Sequence, residues 1–473
     1  MSNILMTLSD LQTLLPKAQQ LNISDVSLGI KRFVTDSRQV QAGDFFIALR
    51  GEKFDAHNFL EDVKKLGATG CLISNTQNLP EGFPALVVNN PLEGLQDIAH
   101  AWRVDCAKRQ LKNVALVTGS NGKTTVKGMI ASIFNAAVGV DHFLATEGNL
   151  NNEIGLPLTL LKLNKDHQLA VVELGMNHPG ETTMLAKIAG ANIVLINNAQ
   201  REHQEFMETV DAVAAEHALA IRELPVDGIA IYPADSEYSD YWRSASAPRQ
   251  IIDFSWNGPA TVTGTWVNEK KNEIQIKVPQ GTFNVTLNIL GEHNAINALA
   301  ATAVAVASGI GNEVIKRGLE DFQPVSGRMQ SHQLNASTTL INDTYNANPD
   351  SVRAAIDVLS TLKTQSWLVL GDMGEVGNQG PQFHREVGEY AGEKGIQELF
   401  TTGQLSKETA LAFDAKLNCP GRAKYFDDVD DLCVALKKSL EDRSSNQQAT
   451  VLVKGSRFMR MERVVQALTE EAH

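Results

Sequence analysis

The sequence predicts a soluble three-domain α/β protein, on three observations. The chain has 473 residues, and at roughly 100–200 residues per domain that length implies two to four units. Two long blocks alternate continuous apolar runs with helical stretches, the pattern of strands buried on both faces of mainly parallel sheets. Pro and Gly cluster near Pro91 and near residues 324–327, punctuating those blocks. The expected division is a small α/β N-terminal domain over 1–91, a central P-loop domain with a mainly parallel sheet over 92–324, and a C-terminal Rossmann-like domain over 325–473.

In chain order, the first unit mixes short strand-like runs at 45–49 and 85–88 with an amphipathic helical stretch at 58–66. The second carries VALVTG, LAVVELG, ANIVLINN and GIAIYPAD as buried strands. Residues alternate between 251 and 290 (TVTGTWV, TFNVTLNIL), which predicts an antiparallel addition. An Ala-rich run at 295–310 then reads as a buried helix, since it is shorter than the roughly 20 residues of a membrane span. The third unit repeats the alternation: TTLIND, a helix from about Ser351, SWLVLGD, ELFTTG, a helix around 432–440, and ATVLVKGS.

With 42 Lys plus Arg against 55 Asp plus Glu, the net charge is −13. That balance argues against a broad nucleic-acid surface, because phosphate backbones are bound by clustered cations. It leaves room for a local basic pocket. Cys71, Cys106, Cys419 and Cys433 lie far apart without a CxxC pair, so neither a disulfide framework nor a zinc site is expected. The first 20 residues lack a basic, then apolar, then small-residue pattern, so no signal peptide is expected and the location expected is cytoplasmic.

The sharpest local signal is TGSNGKTT, residues 118–125, between the strand-like VALV and the helical VKGMIASIF. Strand, glycine turn, lysine and helix N-terminus make a phosphate cradle: backbone N–H groups of Gly119, Ser120, Asn121, Gly122, Thr124 and Thr125 face an anion while Lys123 supplies a point charge. The strict GxxxxGK[ST] spacing is not met, since its first glycine would fall at Val117. Thr124 sits where such a loop places a hydroxyl on Mg²⁺. Glu173 ends the next apolar strand, where a carboxylate can help hold that ion. His203 follows the strand after it and should reach the same sheet edge. The Asn-rich loop GNLNNEIGLP, 148–157, offers Asn149 and Asn151 to a polar ligand. Asn294 and Asn297 share a helix face and can bracket a planar base. Arg328 stands in the second linker. Asp343, Tyr345, Asn346 and Asn348 of DTYNANP lie at the carboxyl end of a strand, where open α/β sheets bind ligands.

In order and spacing, TDSR (35–38), TGSNGKTT, GNLNNEIGLP, ELGMNHPGE, GEHNAINALAA, SGR, DTYNANPDS and VLGDMGE resemble the Mur ligase family across nearly the whole chain. The combination GNLNN, LGMNHPGE and YNANP is similar to the branch that joins D-alanyl-D-alanine to UDP-N-acetylmuramoyl-tripeptide. The resemblance implies an N-terminal domain for the UDP end of the substrate, a central ATPase domain, and a last domain that helps bind ATP and the incoming amine. It implies ATP and Mg²⁺ as cofactors, UDP-MurNAc-tripeptide and D-Ala-D-Ala as substrates, a monomer, no nucleic acid and no stable membrane association. The reaction implied passes through an acyl phosphate and releases ADP and phosphate during peptidoglycan precursor synthesis.

Carried over residue by residue, the resemblance puts 119–125 on the ATP phosphates and Thr124, Glu173 and His203 on metal. It puts Asn294 and Asn297 beside adenine, and Arg328 and Asp343 on the nucleotide. Ser37 and Arg38 fall on the uridine side; Asn149, Asn151, Tyr345, Asn346 and Asn348 fall near the other substrates. One departure stands out. Many family members carry, 14 residues after the histidine, a lysine that becomes carbamylated; here that position is His217. An imidazole cannot be carbamylated and suits a hard cation poorly, so the enzyme is expected to work without a lysine carbamate. His217 is expected to act at the catalytic centre through a metal-bound water or the phosphate, with Glu205 or Glu216 supplying negative charge. The alternatives are a sibling Mur-type or folylpolyglutamate synthetase-like amide ligase, a phosphotransferase with a stable product, and a nucleotide-controlled binding module.

Overall fold

A computed structural model describes residues 4–268, 272–416, 421–444 and 447–470. Three α/β units follow one another, each built on its own sheet. In the first, the strands Gln19–Leu21, Ala85–Val87, Gly70–Ile73, Asp44–Ile47 and Arg32–Val34 lie in that order, and Met6–Thr7 pairs separately with Gly29–Ile30. Asn90 caps the helix Pro91–Ala107, whose proline occupies the first turn, where its missing N–H is harmless. That helix is wedged between units: Gly94 lies against Leu72 of the first sheet, and Trp102 Nε1 donates to Leu163 O of the second unit at 2.9 Å.

The central sheet has six parallel strands in the order Gln250–Ile251, Ile229–Ile231, Ile193–Ile196, Asn113–Thr118, Leu169–Glu173, Phe143–Ala145. Its strands read as unbroken apolar runs because both faces are covered. Ala115 and Val117 point into one core, and Val114 and Leu116 point into the other, as the two-residue period of a strand requires. The Ala-rich helix Glu292–Ala307 is buried on nearly every side, with small residues that let the neighbouring sheets approach closely. Among the described residues, no helix is long and apolar enough to cross a membrane.

The expected antiparallel addition is a four-stranded sheet, antiparallel over Val262–Trp266, Glu273–Val278 and Gly281–Thr286. Its fourth strand, Phe254–Ser255, runs parallel to Val262–Trp266 instead. The reason is continuity: Phe254 still bridges Pro233 in the direction of the central sheet, so the chain has not yet turned. The last unit is doubly wound, with Ala449–Lys454 at the middle between Thr338–Asp343 and Gln365–Gly371, and one antiparallel edge strand, Gln330–Asn335. Cys71, Cys106 and Cys433 are free thiols, while Cys419 lies outside the described residues.

Candidate active site in the cleft between the central and last units

The carboxyl ends of the strands Asn113–Thr118, Leu169–Glu173 and Ile193–Ile196 face those of Thr338–Asp343 and Ala449–Lys454 across a cleft. It holds two adjoining cavities of about 360 and 420 Å³, which share Asn121, Gly122, Arg328, Ser351 and Lys454 on their walls. The glycines of TGSNGKTT are there for space as well as conformation. Gly119 (φ +129°) and Gly122 (φ +77°) take left-handed backbone, and a Cβ on Gly122 would come within 2.7 Å of Asn297 Oδ1. The helix Lys123–Val138 therefore begins directly at the loop, with its N-terminus in the cleft.

Around that loop the side chains are already organised. Asn198 Oδ1 accepts from Asn121 N at 2.8 Å, Ser120 Oγ accepts from Gln200 N at 2.8 Å, and Asn197 Nδ2 donates to Asn121 O at 2.8 Å. Lys123 Nζ donates to Gly119 O and, at 3.1 Å, to Ser120 O, and lies 3.4 Å from Glu202 Oε2. Thr124 Oγ1 donates to Glu173 Oε1 at 3.2 Å, and Asn151 Nδ2 donates to the same oxygen at 2.9 Å. Glu173 is 2% exposed, and its other oxygen, Oε2, is buried without a hydrogen-bond partner. A buried acceptor left idle beside a threonine hydroxyl fits a hard cation completed by phosphate oxygens.

The first cavity suits a base and ribose. Asn297 Nδ2 donates to Asn294 Oδ1 at 3.0 Å, Asn297 Oδ1 accepts from Asn197, and both asparagines line the wall beside His293, Ile296 and Pro233. Burial pushes the His293 imidazole down to about 4, with Asp343 opposing and Lys454 assisting, so the ring is neutral near pH 7. The second cavity is polar: Lys123, Thr124, Glu173, Asn149, Asn151 and His203 face Tyr345, Asn346, Asn348 and Glu375.

The last unit is tied to the central one by polar contacts. Asn348 Nδ2 donates to Asn121 Oδ1 at 2.8 Å, while Asn348 also caps the helix Pro349–Thr361. Arg328 stacks over Tyr345, with its guanidinium carbon 3.9 Å from the ring centre, and donates to Thr124 Oγ1 at 3.2 Å. Asp343 accepts from Met329 N and, at 2.6 Å, from Lys454 Nζ. His203 and Glu375 approach each other from the two units, Nδ1 to Oε2 at 2.8 Å, and both residues hold left-handed backbone. Strain of that kind, in non-glycine residues, gathers at functional sites.

Two expectations need correction. His217 does not face phosphate or solvent: it is 1% exposed, and neither cavity touches it. Its Nδ1 lies 3.0 Å from Thr118 Oγ1 and its Nε2 3.0 Å from Glu202 Oε1, because the helix Val210–Arg222 turns that position toward the sheet rather than the cleft. The carboxylate beside it is Glu202, not Glu205 or Glu216. Glu216 accepts instead from Gly180 N and Thr182 N, at the start of the helix Glu181–Ala189. Burial alone would raise the Glu202 carboxyl, but Lys123, His217 and His203 outweigh it and hold the group well below the usual carboxylate range. Glu202, Arg201 and Asn197 carry no motif signal in the sequence beyond their place in NNAQRE after the buried strand Ile193–Ile196. Ser37 and Arg38 line neither cavity. They sit in the first unit, where Arg38 is exposed and paired with Asp36 at 2.7 Å.

The chain matches the Mur ligase middle domain over residues 117–305 and the Mur ligase glutamate ligase domain over 327–457. It is 36% identical over 471 residues to the UDP-N-acetylmuramoyl-tripeptide–D-alanyl-D-alanine ligase of Escherichia coli, covering 99% of each chain. It is 35% identical to the protein of that name from Buchnera aphidicola, over 94% of each. Among solved structures it resembles MurF of Acinetobacter baumannii, with a TM-score of 0.89 at 33% identity over 98% of this chain and 99% of that one. MurF of Thermotoga maritima in complex with ADP gives 0.79 at 25% identity, over 93% and 97%. A folylpolyglutamate synthase of Mycobacterium tuberculosis, at 15% identity and 0.62, shares the fold.

Proposed function

The chain belongs to the Mur ligase family, and from that membership we propose that the cleft is where ATP activates a peptide carboxylate for attack by an amine. The enzyme is an ATP-dependent ligase that joins D-alanyl-D-alanine to UDP-N-acetylmuramoyl-tripeptide, in peptidoglycan precursor synthesis. The sibling-ligase reading has no comparable support, since the likeness to the diaminopimelate-adding enzyme is at 17% identity and concerns the fold alone.

The observation that carries the site assignment is the cradle itself: Lys123, Thr124 and the idle Oε2 of Glu173 at one wall, and Tyr345, Asn346 and Asn348 at the other. A carboxylate is a poor acyl donor, because its leaving group would be an oxide. Transfer of the γ-phosphoryl to a carboxylate oxygen supplies a good leaving group, and the amine then displaces phosphate. Residues 119–125 bind the phosphate chain through backbone N–H groups, and Lys123 neutralises charge as the phosphoryl moves. Asn294 and Asn297 lie beside the base, and Arg328 and Asp343 hold the nucleotide from the linker and the last unit. Thr124 and Glu173 would hold Mg²⁺, with His203 toward a second ion; when bound, such ions offset phosphate charge during transfer. His217 acts at one remove, by positioning Glu202.

The first unit, 1–91, takes the uridine end through Ser37 and Arg38. The central unit, 92–324, carries the ATP chemistry, and the last, 325–473, brings the dipeptide. Asn149, Asn151, Tyr345, Asn346 and Asn348 orient the carboxylate and the amine. The clasp of Arg328, Asn348 and Glu375 over the loop excludes water that would otherwise hydrolyse the acyl phosphate. A cytoplasmic enzyme acting as a monomer fits these soluble substrates. Supplying ATP, UDP-MurNAc-tripeptide and D-Ala-D-Ala singly and together tests the reading. Pentapeptide should appear only with all three, with ADP turning over continuously only when both acceptors are present, and steady ADP release in the absence of UDP-MurNAc-tripeptide would overturn it.

A further inference from the structure

Glu202 is a buried anion whose counter-charge has another duty. Its side chain is 6% exposed, with Oε1 3.0 Å from His217 Nε2 and Oε2 3.4 Å from Lys123 Nζ and 3.9 Å from His203 Nε2. An ionised carboxylate only accepts hydrogen bonds, so His217 Nε2 donates to it; in the neutral ring Nδ1 then accepts from the Thr118 hydroxyl. That chain, running from strand to helix to loop, keeps Glu202 from swinging toward solvent.

Burying a charge this deeply is tolerable only with a partner. Here the partner is Lys123, which is folded back onto the Gly119 and Ser120 carbonyl oxygens of its own loop. Lys123 Nζ has three protons, which go to Gly119 O, Ser120 O and Glu202 Oε2, the last the longest at 3.4 Å. To meet a nucleotide's phosphates it has to release one of them, and giving up Glu202 leaves that carboxylate without its counter-charge just as further negative charge arrives. The neighbouring cations are committed elsewhere. Arg201 is bound to Asp350 and Glu386, Arg328 to Tyr345 and Thr124, and Lys454 to Asp343 and Asn346.

We propose that Glu202 is a ligand for a divalent cation that enters with the nucleotide, the ion replacing Lys123 as its partner and being shared with His203 and phosphate oxygens. The inference rests on the nucleotide reading of the cleft. Among the described residues, no three Asp, Glu, His or Cys side chains could hold a metal by themselves. Phosphate oxygens would therefore have to complete the shell, as is usual for Mg²⁺. His217 and Thr118 are then positioning residues, fixing the carboxylate as outer partners fix ligands elsewhere.

Mn²⁺ counted by electron paramagnetic resonance, on the full chain with a non-hydrolysable ATP analogue, tests this. The wild-type chain should hold two ions and Glu202→Gln one, while metal-free ADP binds the variant within about threefold of wild type. His217→Asn should keep two ions but weaken the second by about tenfold or more. If Glu202→Gln does not fold, judged by its thermal transition, Glu202→Asp takes its place with the same tenfold weakening expected. Two tightly held ions in the Glu202 variant, or one in the wild type, overturns the proposal. Failure of the wild type to bind the analogue at all would sink the nucleotide reading instead.

Discussion

Arg201 of the central unit grips Asp350 of the last: Nη2 lies 2.6 Å from Oδ1, Nε 3.1 Å from the same oxygen, and the Arg201 backbone N–H donates to Oδ2 at 2.9 Å. A second carboxylate, Glu386, takes Nη1 at 2.8 Å, and the guanidinium carbon sits 5.1 Å from the centre of the Phe383 ring. Although burial opposes the charge, the two acids hold the guanidinium firmly protonated. Forked pairs of this kind fix orientation as well as proximity. Arg201→Ala should lower kcat/KM for D-alanyl-D-alanine on the order of tenfold, because a loosened last unit misplaces the amine. Arg201→Lys should recover little, since a point charge cannot make the fork. Steady-state kinetics with the dipeptide varied decides it, and an unchanged kcat/KM would show the clasp to be idle.

Lys123 Nζ is folded onto the Gly119 and Ser120 carbonyl oxygens of the loop that the proposed function gives to the phosphates. Lys123→Ala should reduce turnover by about 10²–10³-fold or more, the usual loss when a preorganised charge-stabilising group is removed. The far-ultraviolet circular dichroism spectrum should not change. Turnover within tenfold of wild type would remove Lys123 from the transfer step.

With His217 sealed against Thr118 and Glu202, no lysine stands at that position to take up carbon dioxide. Turnover should be the same in carbon dioxide-depleted buffer and in added bicarbonate. A rate that climbs with bicarbonate would contradict the account of this position.

His293 makes stability depend on pH. In the folded chain its imidazole is pushed from 6.5 to about 4 by burial, and its Nε2 lies 3.0 Å from the Asn294 amide, a contact that suits the neutral ring. Between those values the unfolded chain binds more protons, so stability falls as pH drops from about 6.5 toward 4 and is insensitive to this group above. At about 1.4 kcal/mol per unit, the ceiling is about 3 kcal/mol. Urea unfolding from pH 4 to 7 should show a shallower acid limb for His293→Gln than for wild type; identical limbs would assign the acid sensitivity to other groups.

Most strands, the glycine turn before the helix Lys123–Val138 and the strand-end position of Glu173 were legible because each is set by local signals: continuous apolar runs, glycines at a turn, and an acid at a strand end. Glu202 and Arg201 were not, since a charged pair in a loop reads as solvated surface until a second unit closes over it. Its distance from His203 marks the position of His217, but the orientation of that side chain depends on which face of the helix Val210–Arg222 meets the sheet, which spacing alone leaves open. The direction of Phe254–Ser255 was equally hidden, because residue alternation marks a strand without marking its sense.

The central claim is that a carboxylate oxygen passes through an acyl phosphate in this cleft, and an isotope follows it directly. UDP-MurNAc-tripeptide labelled with ¹⁸O in its terminal carboxylate is turned over with ATP and D-alanyl-D-alanine, and the released phosphate is read by mass spectrometry. Transfer of one ¹⁸O to phosphate for each peptide bond formed is the predicted result. Unlabelled phosphate alongside full peptide yield would contradict it.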